Sequence, residues 1–335
     1  MHFLKKETSI IVGEMIEGSC LIFKVRNNKI IKGLFTAKGD EIWPENGYFG
    51  SFNCGLCPIE TKSGYGYINR QEEMVIEPKY LIADDFSENR AWTSAGDKNI
   101  LINNDGYEIR SWGNDYIPND FSEGVARIIE LGAGASNYKT GYINTDGDLI
   151  IPFMEESPFV SLEDLDNKDE YCSDGLIRYN VKNKYGFIDK SLNLVIPFLY
   201  KDALKFQNGL AIVIKEDDWG YINKANDFIS LAEFQSASPF YNGKAIVFDT
   251  DKSMAINRIR EVIREFDVDF VSYKIKGHYI IKRNEKLGLM DHDFNEISPP
   301  VFDQIEKFEE GILHYSNEGK DGVCNLDGEY IEVNI

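Results

Sequence analysis

Two cysteines three apart, Cys54-Gly55-Leu56-Cys57, have the spacing of a dithiol redox pair or of half a zinc site. Either chemistry needs company: positive charge to hold a thiolate, or further ligands to complete a tetrahedron. The other cysteines are Cys20, Cys172 and Cys324, and the histidines are His2, His278, His292 and His314. None of them forms a second Cys-x-x-Cys or a His pair at ligand spacing. An odd count of 5 cysteines spread over 335 residues points to reduced thiols rather than a disulfide framework. No Gly-x-Ser-x-Gly, His-Glu-x-x-His or Gly-x-x-x-x-Gly-Lys-Ser/Thr pattern supplies a nucleophile, a metal pair or a phosphate cradle. Carboxylates are so numerous that no pair stands out as acid and base. The expectation is a chain with no catalytic residue, no metal and no cofactor, and so not an enzyme.

Charge is the extreme figure. Lys plus Arg number 36 against 56 Asp plus Glu, a formal net charge of −20, which disfavours nucleic acid and anionic membrane and favours a basic protein partner. The acids are densest in residues 153–174, where Glu155, Glu156, Glu163, Asp164, Asp166, Asp169, Glu170 and Asp174 face only Lys168, a local net of −7 in 22 residues. Those eight carboxylates are the candidate partner-binding residues. The N-terminus carries no apolar run of signal-peptide length, and no later stretch approaches the roughly 20 apolar residues that span a bilayer, so a cytoplasmic protein is expected.

These residues sit on a repeat. Segments beginning at Gly66, Ile100, Gly141, Gly186, Gly220, Met254, Gly288 and Gly322 are spaced 34, 41, 45, 34, 34, 34 and 34 apart, and a weaker copy begins at Gly33. The fourth residue of each clear copy is Asn or Asp (Asn69, Asn103, Asn144, Asp189, Asn223, Asn257, Asp291, Asn325), types whose side chains close an Asx-turn. A second set precedes the starts: Gly55, Asn89, Gly124, Gly175, Gly209, Gly243, Gly277 and Gly311, predicted to be tight turns at φ > 0. Around it runs Phe-x-x-Gly-x-small, with Phe86, Phe121, Phe206, Phe240 and Phe308 as core anchors and Ala91, Ala126, Ala211 and Ala245 in a close-packed slot. Cys57 occupies that slot, so Cys54 and Cys57 read as turn and core rather than as a redox or metal pair.

Between these positions lie strand-length apolar segments such as Leu210-Ala211-Ile212-Val213-Ile214. Each unit reads as three antiparallel strands with a possible short fourth. Residues 256–266 have apolar side chains at helical spacing, but the unbroken 34-residue steps on both sides favour a strand pair there. Two insertions interrupt the steps, an uncharged small-residue tip near 131–137 and the acidic stretch 153–174; insertions in repeat proteins fall in loops, often on the binding face.

Aromatic-Gly-aromatic-Ile-Asn/Asp, a turn, an Ile-Pro strand end and then Phe-x-x-Gly-x-Ala together resemble the bacterial WG-repeat family. The resemblance runs from about Gly33 to the C-terminus. Trp219-Gly220 carries the eponymous pair, Tyr65-Gly66 and Tyr185-Gly186 are aromatic variants, and Thr140, Leu287 and Asp321 depart from it. It implies a β-strand repeat with no family-wide catalytic residues and a role in binding. The fold expected is an all-β array of about nine antiparallel meander repeats, with residues 1–32 a divergent cap and 33–335 continuous. An open, curved or superhelical array is favoured and a propeller-like ring is the alternative, since propellers usually have four to eight blades. The functional expectation is a protein-binding module that captures a basic protein, for example an immunity protein neutralising a cationic toxin. The alternative is a small-ligand or glycan binder, with Trp43, Trp92 and Trp112 unplaced.

Overall fold

The computed structural model describes residues 6–7, 10–27, 29–36, 38–44, 48–132, 138–155, 172–216, 218–250, 252–275 and 278–333. Its regular elements are 36 β-strands, ordered into nine consecutive antiparallel sheets. They span 11–42, 56–80, 82–113, 116–155, 172–200, 202–230, 236–266, 270–302 and 304–332, numbered blades 1 to 9 here. Most hold four strands; blade 2 holds three, and blade 9 gains a fifth from Lys6–Glu7. Residues 256–266 form strands, as the 34-residue phase requires: Lys252–Asn257 pairs with Val262–Phe266.

The chain divides into two compact units, 49–232 with blades 2 to 6, and 1–48 with 233–335, holding blades 1, 7, 8 and 9. Within the second unit the first and last blades are joined. Lys6–Glu7 runs parallel to Glu329–Tyr330, Glu14 N donates to Glu310 O at 2.7 Å, and Asn325 Nδ2 donates to Val12 O at 3.3 Å. An open array would keep its first and last repeats apart. Of the two expected architectures the β-propeller is therefore the one the chain adopts, and its nine blades are one more than the usual range. Residues 1–32 supply two strands of blade 1, Ile11–Val12 and Cys20–Arg26, and Gly33 lies inside the third, Lys29–Phe35.

The repeat positions show why these residues make blades. All seven described members of the turn set have φ between 61° and 82°; Gly277 lies outside the described residues. The anchors Phe86, Phe121, Phe206 and Phe240 are buried, as are Cys57, Ala91, Ala126, Ala211 and Ala245 in the small slot. Two of the anchors meet a ring of the blade before them: Phe86 meets Tyr67 edge-on at 4.9 Å, and Phe206 meets Phe187 at 4.7 Å. Such pairs add about 0.5–1.5 kcal/mol beyond their buried area, which ties neighbouring blades together.

Seven of the eight positions close an Asx-turn to the N–H groups two and four residues on, and Asn325 Oδ1 accepts from Glu329 N at 3.0 Å. Asn69 Oδ1, for example, accepts from Gln71 N at 3.0 Å and Glu73 N at 2.9 Å, and Asp189 Oδ1 from Ser191 N and Asn193 N at 2.8 and 2.9 Å. Three residues further on the backbone is left-handed in every copy, whether the residue is Gly106, Gly147 and Gly328 or Glu72, Leu192, Asn226, Arg260 and Phe294. That conformation costs a non-glycine residue roughly 1–2 kcal/mol, and the Asx hydrogen bonds hold it.

Candidate functional site

Of the eight acidic candidates, Glu156, Glu163, Asp164, Asp166, Asp169 and Glu170 lie outside the described residues. Glu155 ends the strand Leu149–Glu155 of blade 4. Asp174 is the first residue of a two-residue turn, Asp174-Gly175, with φ of 55° and 77°. It belongs to a series in unit 49–232: Cys54-Gly55, Glu88-Asn89, Glu123-Gly124, Asp174-Gly175 and Asn208-Gly209, all with both residues at φ > 0 as a type I′ turn demands.

These turns are linked by their first side chains. Cys54 Sγ accepts from Asn89 N at 3.3 Å, and Glu88 Oε2 from Gly124 N at 2.6 Å. Glu123 takes two bonds, from Asp174 N at 2.7 Å and Gly175 N at 2.6 Å, and Asp174 Oδ2 accepts from Gly209 N. Lys190 and Lys224 donate to the carbonyls of Glu123 and Asp174. The outcome is a ladder across five successive blades in which one thiol sulfur and three carboxylates satisfy backbone N–H groups that a left-handed turn turns outward. Asp174 is thus an inter-blade acceptor. Sequence reasoning missed this use because it followed the glycine alone; the signal lay in the residue before it, Glu88, Glu123 and Asp174.

The other chemistry-bearing residues are dispersed. Cys54 is exposed, while Cys20, Cys57, Cys172 and Cys324 are buried. Burial pushes the Cys172 thiol up to about 11 despite Lys190, with Glu123 Oε2 at 3.9 Å from its sulfur, and burial pushes Cys324 up to about 12. Thiols so raised are poor nucleophiles at neutral pH. His278 lies against Phe308 at 4.5 Å, His314 against Phe23 at 5.3 Å, and His292 Nε2 is 3.3 Å from Asp293 Oδ2 at the surface. Among the described residues no three His, Cys, Asp or Glu side chains gather at metal-binding distance. Nor, among the described residues, is any helix long and apolar enough to cross a membrane.

The tryptophans do not form a platform. Trp92 is buried and its Nε1 donates to Asn119 O at 3.0 Å; Trp112 packs edge-on against it at 5.3 Å. Trp43 is covered by Lys24 Nζ at 3.6 Å from its ring centroid and donates to Glu41 Oε2. A groove lined by Lys79, Tyr80, Ala95, Ile100, Gly106 and Glu108 has a volume of about 240 Å³. It is smaller than the roughly 300–1,000 Å³ of ligand pockets.

No curated protein matches the sequence. Among solved structures the chain is similar to a eukaryotic initiation factor, at 11% identity over 85% of this chain and 97% of that one, with a TM-score of 0.50. It also matches BamB from Moraxella catarrhalis (10% identity, 98% of this chain and 96% of that one, TM-score 0.38). A Listeria monocytogenes protein matches at 12% identity, over 98% and 96% of the two chains, with a TM-score of 0.40. At 11% identity the likeness to the initiation factor is one of fold alone. A family model described as WG containing repeat matches residues 65–98, 185–217, 219–252 and 288–320. The first match takes in the last two strands of blade 2 and the first two of blade 3, and the second straddles blades 5 and 6 in the same way. Four times, then, the chain carries a WG containing repeat, and each repeat stitches one blade to the next.

Proposed function

We propose that this chain is a non-catalytic protein-interaction module whose acidic surface captures a basic protein, an immunity protein that neutralises a cationic toxin being one instance. The fold supports the coarser part of the reading: a repeat of β-blades offers surface rather than a converged set of reacting groups. The observation that carries the finer part is charge. Residues 49–232 hold 30 Asp and Glu against 17 Lys and Arg, and among the acids Glu77, Asp97, Asp105, Asp115 and Asp146 are exposed. An excess of that size steers a basic partner and repels nucleic acid and anionic membrane. A cytoplasmic site of action is part of the same proposal.

The test neutralises Glu163, Asp164, Asp166, Asp169 and Glu170 together to Gln and Asn. Wild type and variant are immobilised and exposed to lysate of the source cells at about 50 mM salt, where exposed charges act over more than 10 Å, then eluted at high salt. The expected result is a basic protein retained by wild type, released by salt, and bound by the variant with a slower association rate and a flatter salt dependence. Retention that is equal in both, or of proteins that are not basic, would refute the acidic-capture reading.

A further inference from the structure

Edges of β-sheets invite pairing with other chains, and the last strand of seven of the nine blades here is guarded in one of a few ways. Met74–Tyr80, Leu149–Glu155, Leu194–Tyr200 and Glu296–Phe302 carry Pro78, Pro152, Pro197 and Pro299-Pro300. Glu41–Ile42 and Phe228–Ser230 are two and three residues long, and Glu329–Glu332 is covered by Lys6–Glu7. Among the described residues the other two last strands, Glu108–Gly113 and Val262–Phe266, have neither proline nor cover. Both place an arginine, Arg110 or Arg264, where blades 2, 4 and 5 bury Ile76, Ile151 and Ile196. In the first, Ile109 and Trp112 pack into the core and Arg110 is tied to Asp148 of the next blade at 2.8 Å. In the second, residues 258–265 form eight consecutive exposed positions, with Ile259 at 74%, Val262 at 49% and Ile263 at 46% exposure.

We propose that the edge Val262–Phe266 is a docking site for an extended segment of a partner protein in which apolar and acidic residues alternate, added to blade 7 as a further strand. Backbone pairing would supply affinity, and the side chains at alternate positions selectivity. Charge selects the acidic partner. Arg258, Arg260 and Arg264 put three of the chain's ten arginines into seven residues of a protein that is otherwise strongly acidic; Arg260 is paired with Glu233 at 2.9 Å, and Arg264, in the strand itself, is exposed. The acid of the strand, Glu265, is already matched within the sheet by Lys252 Nζ at 3.0 Å. Arg264 lies over the rings of Phe266 and Phe294, 5.6 and 5.8 Å from their centroids, so its guanidinium is oriented by the blade rather than loose in solvent.

A second copy of this chain is disfavoured on the same grounds. In an antiparallel pair about a two-fold axis, the central residue must face itself. Centring on Val262 sets Arg264 against Arg260, on Ile263 sets Glu261 against Glu265, on Arg264 or Glu265 sets each against its own kind, and on Phe266 sets Glu265 against Asp267. Like charges directly opposite destabilise a strand pair, so every such register is penalised. This edge belongs to blade 7 and calls for a partner of the opposite sign to the one in the proposed function.

The probe is a fluorescein-labelled peptide alternating glutamate and valine over seven residues, titrated with the full chain by fluorescence anisotropy. Three comparisons accompany it: the lysine-valine peptide, the glutamate-valine peptide N-methylated at every second residue, and the chain variants Arg264→Glu and Arg110→Glu. Binding of the glutamate-valine peptide is expected to weaken by about tenfold or more on N-methylation and in Arg264→Glu, and to be unchanged in Arg110→Glu. Amide exchange in the wild-type chain should slow at Val262–Phe266 when the peptide is added, a readout that does not depend on any variant folding. Absence of binding at millimolar peptide, equal binding of the N-methylated or lysine-valine peptide, or self-association of the chain through this edge would each overturn the proposal.

Discussion

The glycine of the aromatic-Gly pair is required by a carbonyl oxygen. A methyl group on Gly66, Gly186, Gly220 or Gly288 would stand 2.5, 2.6, 2.1 or 2.5 Å from the backbone oxygen of Ile76, Ile196, Ile229 or Ser298 on the next strand. In blades 2, 5 and 8 the pairing skips a register there, from Tyr185↔Tyr200 to Phe187↔Ile196 in blade 5, and the bulge presses the carbonyl against the glycine Cα. Gly186→Ala is therefore expected to lower stability by about 1–3 kcal/mol, since the atom in the way is backbone. Gly141→Ala should cost less, because its nearest neighbours at 3.1 Å are side-chain atoms of Leu149 and Phe153. Urea unfolding of the two variants checks this, and equal losses would contradict it. Two of the eight Asx positions are aspartates and bring pH into the turns. The Asn193 side-chain amide and then its N–H hold the Asp189 carboxyl below its usual value; burial pushes Asp291 up, but the Asn295 donors outweigh it. A carboxyl depressed in the folded state contributes stability that is present above about pH 4 and is lost as pH falls through the folded value. The double variant Asp189→Asn, Asp291→Asn should then lose less in melting temperature than wild type between pH 6 and pH 3, and an identical loss would sink the assignment.

At the scale of elements, the repeat and the blade are out of step by two strands. The starts at Gly66 and Gly186 fall inside the strands Gly64–Asn69 and Lys184–Asp189, so each repeat closes one blade and opens another. Strand length, the turn glycines and the Asx-turns were legible in the sequence because each is local, set by a few residues whose types limit the backbone. The short fourth strand was legible too, as Asp202–Ala203 within Tyr200 to Phe206. The offset between repeat and blade was not, and neither was the ladder of Glu88, Glu123 and Asp174, because hydrogen bonds 35 to 52 residues apart leave no trace in local pattern. Of the acidic candidates Glu155 is described only by its backbone pairing with Lys139, and Asp174 by side-chain bonds that join blade to blade. Glu123→Ala tests that ladder: it strips the acceptor from Asp174 N and Gly175 N. Those bonds are at the surface, where water replaces part of what is lost, so the expected cost is about 1–2 kcal/mol. Hydrogen exchange should quicken at Asp174 and Gly175 before anywhere else in 49–232; unchanged exchange there would mean the carboxylate holds nothing.

For the whole molecule the open question in the sequence was whether the array closes, and the deciding contacts join residues close to 300 or more apart, such as Asn325 Nδ2 to Val12 O. No local signal could carry that. Charge is the other property of the whole chain, and it sets two effects against each other. A net charge of −20 repels itself in the compact state and less so in an expanded one, which lowers stability. Ion pairs such as Lys252–Glu265, Arg260–Glu233 and Lys286–Asp303 act in the opposite sense, but their side chains are 36–62% exposed, and pairs of that kind contribute about 0–1 kcal/mol each. Salt screens both. Because the excess of acids is spread over the chain while each pair is weak, relief of repulsion is expected to win: the melting temperature at pH 7 should rise by several degrees as sodium chloride goes from about 10 mM to about 150 mM, over which the screening length falls from about 30 to about 8 Å. Most of the rise should come in that range and little beyond it. A melting temperature that falls over the same range would show that the exposed pairs, rather than the net charge, govern the electrostatics of this chain.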